Sequence, residues 1–180
     1  MQTNLHGTTS LPLPGFISTE QAGSRLSRPS PLRRAKVIQR LESELRQHLS
    51  FSLEQVYTSS QQHPIECDGV LLLPDLWVAT LSKDPVRSRT LVEPGLIVHV
   101  FAAFNTRERA VLLRAYRGAK GAREILAIDI HSRSVEIFRK DSVGSRGWLV
   151  QDYAGCFETE LETIQFNLSS ETMWSSRELL

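Results

Sequence analysis

The chain has 180 residues, 21 Lys plus Arg against 20 Asp plus Glu, and 41% hydrophobic residues. That length suits one domain with a substantial core, and a formal net charge of +1 excludes a blanket polycation for nucleic acid or an acidic tail. No apolar run reaches bilayer-crossing length, the prolines and glycine among Leu11, Leu13, Phe16 and Ile17 break up any secretory signal, and Cys67 and Cys156 are too few for a disulfide scaffold or a zinc site. The expectation is a cytoplasmic, soluble domain with no membrane span and inert thiols. Of the basic residues 17 are arginine, leaving Lys36, Lys83, Lys120 and Lys140 as the candidates for any lysine chemistry.

Residues 1–29 are rich in Thr, Ser, Gly, Gln and Pro and read as a flexible arm, with a short pairing strand around Phe16 to Ser18. The folded domain is expected over 30–174, followed by a tail over 175–180. Ser30-Pro31 is a helix start, since serine caps free amides and proline is tolerated at the first helical position. Val37, Leu41, Leu45 and Leu49 then recur every four residues, with Ile38 beside them, while Arg33, Arg34, Lys36, Arg40, Glu44 and Arg46 are assigned to the opposite, polar face.

From Phe51 the pattern turns to strands. Leu53 to Tyr57, Val70 to Leu73, Leu76 to Leu81 and Leu96 to Ala102 are the candidates. The segment 82–94 between the last two is polar, and Leu96 to Phe101 is apolar on both faces, as in a central strand covered twice. A second helix is expected over Thr106 to Arg117, capped by Asn105 or Thr106 and stopped by Gly118 and Gly121. Strands follow at Glu124 to Ile130, Val135 to Arg139 (half exposed), Trp148 to Tyr153 and Ile164 to Leu168, with a short helix near Glu171. Asp129 suits a cap for the turn at His131 to Ser134. Trp148 and Tyr153 are expected to cover the sheet and Trp174 to be an exposed anchor. The sum is an α/β fold with a mixed sheet flanked by helices.

The chemical content lies in Pro74-Asp75-Leu76 and in Glu93-Pro94-Gly95 leading into Leu96 to Val100. In strand-based metal nucleases, carboxylates on neighbouring strands converge on a divalent ion, which demands oxygen ligands, and a lysine orients or activates the attacking water. Pro29-Ser30-Pro31, Pro74-Asp75-Leu76, Pro94 to Ala103, Leu112 to Tyr116, Glu124 to Asp129, Val135 to Arg139 and Leu161 to Leu168 stand in an order that resembles a large, mainly cyanobacterial family of candidate restriction endonucleases in the PD-(D/E)xK nuclease superfamily. The resemblance covers Gly23 to Trp174 and implies a single restriction-endonuclease-like domain.

It also implies a degenerate site. The family's metal-binding Glu falls on His99, its Lys on Leu112 and its preceding Asp on Gly95, while Ala102-Ala103-Phe104-Asn105 stands for a Ser-Pro-Ser-Thr stretch; only Asp75 persists. Glu20 and Glu93 are the remaining acids that could serve a migrated site. An imidazole suits Mg²⁺ poorly, and Arg114 could hold phosphate in the lysine's space but not act as a base. For Asp75 the plain alternative is a strand-start carboxylate accepting backbone amides. For His99 it is a hydrogen-bonded core histidine, or a pair with Asp75 across the old site; Glu124 is expected to be structural. Arg107, Arg109, Arg114, Arg117, Lys120 and Arg123, with Arg25, Arg28, Arg33, Arg34, Lys36 and Arg40, form candidate phosphate or partner contacts, set against a solvated or salt-bridged face.

The resulting expectation is a nuclease-like pseudoenzyme with no catalytic residues, no cofactor and no metal. It would act as an accessory, protein-interacting module or homodimer. The alternatives are a Mg²⁺- or Mn²⁺-dependent DNA endonuclease built on Asp75, His99 and Glu93 or Glu20, and a non-cleaving DNA-binding protein.

Overall fold

The computed structural model describes residues 31–61, 63–80, 93–102, 105–141 and 147–174. The expected arm, its Phe16 to Ser18 strand, Glu20, the 82–92 part of the polar connection and the 175–180 tail lie outside the described residues.

Helix α1 spans Pro31–His48. Its four-residue repeat of Val37, Leu41 and Leu45, extended by Leu49 just beyond, is buried against one face of the sheet. Helix α2, Thr106–Arg117, is capped by the Asn105 side chain, which accepts from the Glu108 amide at 3.2 Å; it covers the other face through Leu113 and Tyr116. Gly118 closes it in a right-handed conformation (φ −82°), so left-handed geometry is not why glycine stands there; a Cβ would meet the Asp68 carboxylate.

Six strands form the central sheet in the order β1 (Glu54–Thr58), β4 (Leu76–Thr80), β5 (Leu96–Phe101), β6 (Glu124–Asp129), β7 (Ser134–Lys140) and β8 (Trp148–Ala154). Only β5 and β6 are parallel, joined through α2, while the other neighbours are antiparallel. Alternation sorts the side chains. Leu76, Val78, Leu96, Val98, Val100, Leu126 and Ile128 face α1, while Trp77, Ile97, Ile125 and Ala127 face α2. β5 is therefore the doubly covered central strand that its composition calls for.

Four expectations are corrected. A hairpin of β2 (Ile65–Cys67) and β3 (Val70–Leu72) stands beside the sheet, so Val70 to Leu72 does not join it. Its two-residue turn, Asp68 (φ 48°) and Gly69 (φ 81°), is the left-handed pair that Asp-Gly favours. The C-terminal strands are β9 (Glu158–Leu161) and β10 (Phe166–Ser169), and Ile164 lies in the turn between them. β7 is more covered than half-exposed alternation predicts: Val135, Ile137 and Phe138 are all buried, the last under the Arg117 guanidinium at 4.8 Å. The short α3 (Ser170–Trp174) follows β10, and Trp174 packs half-buried on the α1-side core rather than standing exposed.

Candidate functional site

Asp75 sits just ahead of β4, where the strand leaves its ladder with β5. Its amide still donates to Val98 O at 3.1 Å, and its Oδ2 accepts the Val100 amide at 2.7 Å. The side chain thus replaces a backbone partner that Pro74 and the departing chain do not supply. A strand-start carboxylate that accepts a backbone amide is what the plain structural reading of Asp75 expects.

The other carboxylate oxygen, Oδ1, takes an ion pair from Arg34 Nη2, while Arg34 Nε donates to Val100 O at 2.9 Å. Arg34 therefore does not belong to the solvated face to which its neighbours assign it. One helical turn before Val37 and Ile38, it lies on the same stripe, and that spacing is the signal in the sequence that points it inward. The Arg34 side chain remains 37% exposed while that of Asp75 is 4% exposed, so the guanidinium reaches from the surface to a carboxylate that water does not reach.

His99 approaches from the α2 side. Its Nδ1 is 3.7 Å from Asp75 Oδ2, too far for a hydrogen bond, and 3.1 Å from the Tyr116 hydroxyl on α2. Burial is the main reason the His99 imidazole is held down at about 4, with Asp75 pulling it up and Arg34 pushing it further down. The ring is neutral near neutrality and shares one hydrogen bond with the Tyr116 hydroxyl through Nδ1. Burial, reinforced by the Asp75 charge, pushes the Tyr116 hydroxyl up from its ordinary range, so it stays protonated. Phe101, two residues along β5, lays its ring 4.6 Å from that of His99 and carries the Arg109 guanidinium at 4.9 Å. A polar chain, Arg34–Asp75, then His99–Tyr116, thus passes through the end of the sheet and links the two helices.

The other candidates lie elsewhere. Leu112 is half-buried in the apolar layer beneath α2, and Arg114 is on that helix's exposed side. Glu93 pairs with Lys120 at 2.6 Å; six residues before His99, it is about 20 Å away along an extended chain. Arg109 is not a free surface contact, because it pairs with Asp129 at 3.1 Å and with Glu136. Arg117 covers Phe138, while Arg107 and Arg123 are exposed. Asp129 caps its turn by accepting the His131 and Ser132 amides at 2.9 and 3.2 Å. Burial raises the Cys67 thiol to about 11, which makes it unreactive, whereas Cys156 is exposed. Tyr116 and Phe101 are members of the site that sequence reasoning missed, and Arg34 is one that it placed on the wrong face of α1.

A divalent ion is what the family resemblance implies for this site, and the residues present do not fit one. Such an ion needs several hard oxygen donors. Here one carboxylate is shared between a guanidinium and an amide, the nearest ring nitrogen is hydrogen-bonded with a tyrosine hydroxyl, and the position where the resemblance implies a lysine carries an isobutyl group. Among the described residues no group of three or more His, Cys, Asp or Glu side chains converges as metal ligands would.

No family model and no curated protein matches the chain. Its architecture is similar to the crystal structure of a candidate nuclease belonging to DUF820 from Anabaena variabilis, with a TM-score of 0.62, 12% identity, and 82% of each chain covered. Among the described residues no helix is long and apolar enough to cross a membrane. The mixed six-stranded sheet flanked by helices is thus a single restriction-endonuclease-like fold, with Asp75, His99 and Tyr116 at one end of its central strands.

Proposed function

We propose that this chain is a divergent relative of the DUF820 candidate nuclease that has lost phosphodiester hydrolysis and acts by binding, as an accessory module of a protein assembly. The observation that carries this reading is the state of Asp75. Phosphoryl transfer needs a carboxylate free to hold a cation and a group that manages charge on the attacking water. Asp75 is committed to Arg34 and the Val100 amide, and His99, neutral and bonded to Tyr116, brings no second negative charge. The core around the cluster stays closely packed, with Leu96, Ile97 and Val98 fully buried, which favours a protein retained for its fold.

The test is plasmid nicking by the full chain in Mg²⁺ and in Mn²⁺, beside Asp75→Ala. The expected result is no cleavage above background by either. Metal-dependent nicking that disappears in Asp75→Ala would establish the endonuclease alternative, which the name of the Anabaena protein favours. Exposed Arg107, Arg114 and Arg123 keep non-cleaving DNA binding as the second alternative. That reading predicts affinity that falls steeply with salt and weakens when Arg114 is neutralised. Copurification with a stoichiometric companion protein would support the accessory role directly.

A further inference from the structure

We propose that the Arg34 guanidinium is a resident cation: it takes the place a divalent ion would occupy beside Asp75, and its presence keeps the site closed to metal. This rests on the non-hydrolytic reading above and adds the physical agent that enforces it. The usual description of a decayed nuclease is subtraction, an acid and a lysine removed. The geometry here shows an addition as well.

A carboxylate buried next to apolar strands is costly unless its charge is matched. In a metal nuclease the ion supplies that match. In this chain the match comes from α1, 41 residues away in sequence, through Arg34 Nη2 on Asp75 Oδ1. The same guanidinium donates through Nε to Val100 O at 2.9 Å, and the Val100 amide donates to Asp75 Oδ2 at 2.7 Å. Arg34, Asp75 and the backbone N–H and C=O of Val100 therefore close a ring of hydrogen bonds in which each carboxylate oxygen has a donor. A planar fork fits two such acceptors at once, and an ammonium would not. A metal entering this ring would have to displace a guanidinium that is held at two points and cannot be deprotonated. Restoring the missing acid alone is therefore insufficient, because the positive charge is already present.

The experiment is uptake of Mn²⁺ alone by the full chain, read from loss of the free-ion EPR signal, for wild type, Arg34→Met, His99→Glu and the double variant Arg34→Met/His99→Glu. The double variant, whose two carboxylates are left without a cation, is expected to bind one ion at least about tenfold more tightly than either single variant. Saturating Mn²⁺ should also raise its melting midpoint. Adding Asp75→Asn should abolish both effects. Binding by His99→Glu as tight as by the double variant would overturn the proposal, because Arg34 would then be no obstacle. A double variant that is folded by circular dichroism and binds no Mn²⁺ would overturn it too.

Should the double variant not fold, a denaturation cycle of Arg34→Met, Asp75→Asn and their combination decides the matter. Strong coupling supports the resident cation, and additive effects reject it. Nicking by the wild type would defeat the functional reading, whereas these variant patterns defeat only the role of Arg34, so the two failures are separable.

Discussion

Two buried carboxylates hold opposite ends of this sheet, and their comparison explains the site. Glu124, at the start of β6, is 1% exposed. It accepts Arg139 Nε at 2.9 Å and the Glu162 and Thr163 amides at 3.3 and 3.1 Å, tying the sheet to the turn between β9 and β10. Asp75 does the same with Arg34 and the Val100 amide. Chemically the two are alike: an acid satisfied by one guanidinium and by backbone N–H groups. At the position where the family resemblance implies a metal-binding acid, this chain holds its carboxylate with the same kinds of partner as at Glu124. The difference is the neighbourhood, since Asp75 alone has a histidine and a tyrosine beside it.

The comparison is broken most severely at Glu124. Glu124→Ala should cost about 3–5 kcal/mol by urea denaturation, because it takes the acceptor from two turn amides at once and removes the buried partner of the half-buried Arg139 guanidinium. Asp75→Ala should cost less, about 2–3 kcal/mol, because Arg34 can turn into water and only the Val100 amide stays buried without a partner. Equal losses at the two sites would show that Arg34 is as deeply committed as Arg139.

The pH dependence sharpens the distinction. Unfolded His99 takes up its proton near 6.5, the folded ring only near 4, so between those values the unfolded state binds more protons. Stability should therefore fall as pH drops from about 6.5 toward 4, by up to roughly 3 kcal/mol. His99→Phe should flatten that limb of the profile while Glu124 variants leave its shape alone. Thermal melts at successive pH values measure this directly. The smallest effect expected is Tyr116→Phe, about 1 kcal/mol for one hydrogen bond, read from urea denaturation.

Much of this molecule is readable from local pattern. The α1 stripe, the bounds of α2, the doubly covered β5 and the turn cap at Asp129 all follow from periodicity and capping chemistry, which act over a few residues. The hairpin at Asp68-Gly69 was equally legible, and its turn dipeptide was the available signal. β9 was harder to see, because Glu158-Thr159-Glu160-Leu161 has a single large apolar residue and becomes a strand only by pairing with β10. Trp174 reads as an anchor until α1 and the β-sheet give it a surface to lie on.

At the site, the sequence by itself determined which groups are present: an acid at position 75, an imidazole at 99 and an isobutyl group at 112. Only the tertiary structure decided what those groups meet. Arg34 meets Asp75 across 41 residues and Tyr116 meets His99 across 17, through helices on opposite faces of the sheet. Which charge answers a buried carboxylate is set by whichever side chain packing brings within reach: the α1 stripe turns Arg34 inward, but nothing along the chain says that Asp75 is what it meets.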